Sequence, residues 1–123
     1  MDAPTEAVLG ANAAFYAAFN DRDTASMDIL WARRTPVSCI HPRGNLLTTR
    51  GQVMASWFAL LANPAQARVV AGGECVSVYG EVAVVACREL VGGAPVVATN
   101  VFVLEDGRWR LVHHHGSLVE LER

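Results

Sequence analysis

The chain predicts an α+β fold, and three observations carry that prediction. Helical periodicity occupies the first half, long apolar-rich runs occupy the second, and glycine-containing turns join those runs into a meander. Thr5 is placed to cap a first helix running to about Asn20, in which Val8, Ala11, Phe15, Ala18 and Phe19 form one apolar stripe. Asn20-Asp-Arg-Asp23 breaks it, and a short second helix follows with Met27, Leu30 and Trp31 on its buried side. Pro36 closes that region, Val37 to His41 reads as a strand, Pro42 to Asn45 as a turn, and Leu46 to Thr48 as a short return strand. Thr49 and Gln52 have capping-box spacing and open a third helix carrying Val53, Met54, Trp57, Phe58, Leu60 and Leu61, which Asn63-Pro64 stops. Strands are expected over Arg68–Tyr79, Glu81–Val91, Val96–Glu105 and Arg108–His115, parted by Gly80, Gly92-Gly93 and Asp106-Gly107. No internal repeat or linker interrupts this order, so residues 1–123 are read as one domain.

Composition narrows the function classes. Apolar residues make up 52% of the chain and charged residues 18%, which describes a packed domain rather than a disordered one. The basic residues are scattered arginines without lysine or a basic block, so nucleic acid is not an expected partner. The uninterrupted apolar runs, Val82 to Cys87 among them, are too short to cross a bilayer, and no secretion signal is visible at the start. Cys39, Cys75 and Cys87 are odd in number and lack metal spacing; they read as buried thiols in a reducing, cytoplasmic setting. No nucleotide fingerprint, phosphate loop or serine-hydrolase elbow is present, and no cofactor is expected.

Two-residue turns at Asp106-Gly107 and Gly92-Gly93 fix an expected register. Asn100 then lies opposite His113, Ala98 opposite His115 and Phe102 opposite Leu111, with Val85 beside Asn100 and Cys87 beside Ala98. One sheet face thus carries Val85, Cys87, Glu89, Ala98, Asn100, Phe102, Trp109, Leu111, His113 and His115. The other carries Val84, Thr99, Val101, Arg110 and His114. Both faces are substantially apolar, and helices cover only one, so the second is expected to pair with another copy of the chain.

The element order, Ala17-Ala-Phe-Asn-Asp-Arg-Asp23 closing the first helix, His41-Pro42 ending the first strand, and Gly107-Arg-Trp-Arg-Leu-Val-His113 resemble the nuclear transport factor 2-like superfamily, also termed SnoaL-like or cystatin-like. The resemblance covers nearly the whole chain. It implies a cone: a strongly curved antiparallel sheet of five to six strands whose concave face is covered by the three helices, with a small-molecule pocket at the open end. Members include ketosteroid isomerase, polyketide cyclases, limonene epoxide hydrolase and scytalone dehydratase, besides pure binding and assembly modules. At the place of the isomerase's tyrosine stands Phe15, with Tyr16 about 100° further round the helix. At the place of its general base, an aspartate before a proline, stands His41.

On this reading His41 is the expected proton-transfer residue, with His113 and Asn100 holding or polarising a substrate oxygen. Phe15, Tyr16, Trp31, Met54, Trp57, Phe58, Val85, Cys87, Phe102, Leu111 and His115 are the expected pocket lining. His113 and His115 also have zinc-ligand spacing, with His41 a conceivable third ligand, but no carboxylate or cysteine clearly completes a set, Glu89 and Cys87 being the only nearby candidates, and no metal is expected. The expected partners are an apolar, carbonyl-bearing small molecule and a second copy of the chain. The reaction would be an isomerisation, cyclisation, dehydration or hydrolysis. A non-catalytic ligand-binding or dimerisation module is the alternative.

Overall fold

A computed structural model describes residues 2–120. Three helices, α1 (Ala3–Asn20), α2 (Thr24–Leu30) and α3 (Arg50–Ala62), accompany six strands: β1 (Ser38–Ile40), β2 (Leu46–Leu47), β3 (Val69–Tyr79), β4 (Val82–Val91), β5 (Ala94–Glu105) and β6 (Arg108–Leu118). The helix α1 begins earlier than expected. Its cap is Asp2, whose carboxylate accepts the Thr5 N–H at 2.9 Å, while Pro4 occupies a first-turn position that needs no N–H. The third helix is capped by Thr49, which accepts from the Gln52 N–H at 3.1 Å.

The six strands form one open, curved sheet in the order β2-β1-β6-β5-β4-β3. It is mixed rather than wholly antiparallel, because β1 runs parallel to β6. The hairpin turns behave as their residues demand. Asp106 and Gly107 both have positive φ, 53° and 74°, the geometry in which a two-residue connection matches strand twist. The β4–β5 register is the expected one, with Val85 opposite Asn100 and Cys87 opposite Ala98.

The register between β5 and β6 departs from expectation halfway along. Phe102 faces Leu111 as expected, but Val101 then faces His113, so Val112 is an extra residue on β6. This β-bulge shifts every later pair by one and exchanges the faces of the residues beyond it. Asn100 therefore meets His114, not His113, and Thr99 rather than Ala98 meets His115. Below the bulge the outer neighbour of β6 is Trp31, whose successor Ala32 donates to the Leu111 carbonyl at 2.9 Å; above it the neighbour is β1. A second irregularity lies in β3 between Gly72 and Cys75. Both bend the sheet around the helices.

Phe15, Met27, Trp31, Val53, Val85, Phe102 and Leu111 form the sealed centre between helices and sheet. The outer sheet face stays open, with Leu90 49%, Val97 46% and Val82 39% exposed. Arg110 does not project freely from it: its guanidinium turns to the Ile29 carbonyl and to Glu105.

Candidate functional site

A cavity of about 240 Å³ lies between α1, α3 and the inner face of the sheet. Phe15, Tyr16 and Phe19 reach it from α1, Trp57 and Leu60 from α3, Val69 from β3, Glu89 and Val91 from β4, and His114 from β6. His41, Pro42 and Gln66 complete the wall from the connecting segments. An apolar cavity with a few convergent polar groups is the usual form of a small-molecule site.

The polar groups are ordered by counting protons. His114 is 3% exposed, and its Nδ1–H donates to Asn100 Oδ1 at 2.5 Å. The Asn100 amide, itself fully buried, donates from Nδ2 to Asn12 Oδ1 at 2.8 Å and to the Tyr16 hydroxyl at 3.1 Å. Tyr16 then donates its proton to Glu89 Oε2 at 2.5 Å, with Cys87 Sγ 3.4 Å away. The result is a directed chain from His114 to Glu89 that leaves His114 Nε2 with a bare lone pair. Gly116 makes room for this ring: a Cβ there would lie 3.2 and 3.3 Å from Pro42 carbons and 3.6 Å from His114 Nε2.

His41 is fixed in the opposite tautomer. Ser56 donates its single hydroxyl proton to the Val53 carbonyl at 2.7 Å, so it accepts from His41 Nε2–H at 2.9 Å and leaves His41 Nδ1 bare. The His41 ring stands edge-on to Trp57, 4.6 Å between centroids, and 6.5 Å from the His114 ring. Burial lowers the pKa of His41, and pushes that of His114 down to about 3, with His41 and the two flanking histidines adding to the effect. Both rings are thus neutral near pH 7. Burial acts in the other sense on Glu89, raising its carboxyl above the usual range against the opposing hydrogen bond from Tyr16. Burial also pushes Cys39 up to about 12, so the sulfur 3.8 Å from His41 is a thiol and not a thiolate nucleophile.

Of the expected site residues, His41, Phe15, Tyr16 and Trp57 line the cavity, and Asn100 stands directly behind its wall. His113 and His115 do not. The Val112 bulge turns both to the outer face, where His113 Nδ1 pairs with Ser38 Oγ at 2.7 Å, and so separates them from His41. Trp31, Val85, Phe102 and Leu111 are fully buried core residues, Met54 is buried beside them, and Phe58 packs against the core from α3; none of these lines the cavity. Cys87 is buried against Tyr16 and contributes nothing to the lining. Tyr16 reaches the interior although it neighbours Phe15, because α1 lies within the sheet's curve and presents both positions inward.

Asn12 and Ser56 were not foreseen; Glu89 was expected on the inner face but not as a site residue, and His114, expected on the outer face, is turned inward by the bulge. Glu89 had a signal, being the one acid that alternates inward with Val85 and Cys87 along β4. Asn12, on the helix turn preceding Phe15 and Tyr16, is 2% exposed, an unusual depth for an amide.

Three helices lying in the curve of an open six-stranded sheet, with a cavity between them, define a nuclear transport factor 2-like protein of cystatin-like fold. The chain belongs to the SnoaL-like domain family, which it matches over residues 8–120. It is similar to a Streptomyces avermitilis protein of the NTF2-like family described as a candidate dehydratase, at TM-score 0.88 and 36% identity over 96% of this chain and 97% of that one. It is also similar to a Thiobacillus denitrificans protein described as a candidate association domain of calcium/calmodulin-dependent protein kinase type II. That match has a TM-score of 0.79 and 30% identity over 89% of this chain and 93% of that one. A curated relative, the F-box protein SKIP8 of Arabidopsis thaliana, is 29% identical over 129 residues and 98% of this chain, which spans 53% of that protein's length.

Proposed function

We propose that this chain is a small enzyme that moves protons on an apolar, carbonyl-bearing molecule, in a reaction of the dehydration or isomerisation type. One observation carries the reading: an acid, Glu89, and an uncharged base, His41, line the same largely apolar cavity, with their affinities for protons displaced in opposite directions. His41 Nδ1 takes the proton from the carbon beside the carbonyl. Glu89 delivers a proton to the departing or enolising oxygen. His114 Nε2, its ring held by Asn100, accepts a hydrogen bond from a substrate hydroxyl. Phe15, Phe19 and Trp57 keep the reacting atoms dry. The similarity to the Streptomyces avermitilis protein supports this class of reaction. Cys39, Cys75 and Cys87 are all unpaired, Cys39 and Cys87 buried as expected and Cys75 exposed on the sheet, which favours a reducing, cytoplasmic setting.

The test is turnover of a panel of β-hydroxy ketones and β,γ-unsaturated ketones, followed by the absorbance of the conjugated product. Glu89→Gln and His41→Ala are each expected to lower the rate by about 10²–10⁴-fold while the melting temperature stays near that of the parent. Full activity in either variant removes that residue from the chemistry. Binding without turnover across the panel leaves a non-catalytic ligand-binding module.

A second reading concerns assembly and is compatible with the first. The open outer face, with Val84 and Val101 between the exposed Val82, Leu90 and Val97, is an apolar surface of the kind two copies bury against each other. The similarity to an association domain favours self-association through that face.

A further inference from the structure

Size, charge and polar inventory together restrict what the cavity admits. An apolar protein cavity of roughly 150 Å³ holds one benzene, so the observed volume, about 240 Å³, corresponds to about ten heavy atoms. One ring with substituents, or a fused pair of small rings, fits; a four-ring steroid does not. The strongly basic residues of the chain are all arginines, and among the described residues none of them stands in the cavity wall. Arg22 approaches from behind, but its guanidinium is taken by the carbonyls of Leu61, Asn63 and Gln66. A carboxylate or phosphate would therefore lose its hydration and meet no counter-charge. A primary ammonium would leave water for a carboxyl group already engaged by Tyr16.

His41 Nδ1 and His114 Nε2 make no hydrogen bond to the protein and are bare acceptors, whereas Glu89 Oε1, which carries the acid's proton, is a donor; the Tyr16 hydroxyl is committed to Glu89 and the Trp57 N–H is sealed from solvent. Two acceptors beside one donor call for a hydroxyl on the ligand, which both donates and accepts. We infer that the cavity takes an uncharged, hydroxyl-bearing ring or fused ring pair of about ten heavy atoms and turns away anions and steroid-sized molecules. This rests on reading the cavity as the ligand site and goes further by naming what enters it.

The experiment titrates the full chain near neutral pH with indanol, phenylacetate, phenethylamine and a steroid ketone. Tryptophan fluorescence, to which Trp57 contributes from the cavity wall, and calorimetry report binding. Indanol is expected to saturate, phenylacetate and phenethylamine to bind at least about a hundredfold more weakly, and the steroid not to bind. Two separate replacements that narrow the cavity, Leu60→Trp and Val91→Phe, are each expected to weaken indanol at least about tenfold, with melting temperatures near the parent's. Binding of phenylacetate, phenethylamine or the steroid as tight as that of indanol overturns the inference and leaves the proton-transfer reading standing. Indanol binding unaffected by both replacements, or no binding by any probe, overturns the two together. Selective indanol binding without turnover on the ketone panel supports the inference and removes the enzymatic reading alone.

Discussion

At the scale of single residues, His114 is held on several sides. Its imidazole is walled by Phe15 and Trp57, at 5.3 and 5.4 Å between centroids, and spends its one N–H on Asn100. Its folded pKa, about 3, lies below the ordinary value of 6.5, so the folded chain holds fewer protons than the unfolded chain between those limits. The associated stability is fully present above pH 6.5 and is lost as pH falls, at a rate approaching roughly 1.4 kcal/mol per pH unit for one group. His41 and His113, also lowered, act in the same direction; Glu89, raised, acts in the opposite one, favouring the folded state at low pH. Urea unfolding at a series of pH values is expected to show this acid-side slope in the parent and a shallower slope in His114→Gln. An unchanged slope would mean that His114 is not the buried neutral ring described. Little of this was legible beforehand. Asn100 and Glu89 belonged to the strand face that alternation assigns inward, although Glu89 was weighed there only as a metal ligand; Tyr16 lies off the apolar stripe of its helix and entered the expected lining beside Phe15. His114 was assigned to the outer face, because a register drawn from the two-residue turn alone takes no account of the extra residue on β6.

At the scale of elements, the decisive feature is the extra residue on β6. Bulges that glycine permits leave a trace in the sequence, but Val112 is an ordinary strand former, and its place opposite no partner reflects a change of neighbour from Trp31 to β1. That change depends on contacts far apart along the chain, which local periodicity does not encode. The β4–β5 hairpin, whose register its glycine pair determines, was legible in full. Alanine substitutions across the three histidines check the bulge directly. His114→Ala is expected to cost roughly 2–4 kcal/mol, since it opens a hole and strands the Asn100 carbonyl. His113→Ala and His115→Ala are expected to stay within about 1 kcal/mol, in keeping with a half-buried and an exposed position. The reverse ranking in denaturant melts would restore the unbulged register.

At the scale of the whole molecule, the α+β class and helix order were readable from periodicity, and the curved cone from the family resemblance. The parallel docking of β1 was not, because a strand of three residues has too little pattern to declare its partner. The outer face is where molecular scale meets assembly. A stable pair buries about 800 Å² on each side, and the broad surface of β4, β5 and β6 has the apolar side chains to do so. Sedimentation at micromolar concentration is expected to report a dimer that Leu90→Arg combined with Val97→Arg dissociates. A parent that sediments as a monomer would refute self-association by this face.

The orientation of the Asn100 amide has one more consequence. Its nitrogen faces Tyr16 and its oxygen faces His114, so the phenol can discharge only toward Glu89 and never back. The link behaves as a rectifier: it transmits polarisation and forbids a relay of hydrogen ions between its terminals. The carboxyl terminal and the imidazole terminal are therefore insulated from mutual neutralisation: Glu89 must exchange its proton with whatever occupies the space between them, while His114 offers that occupant only a lone pair.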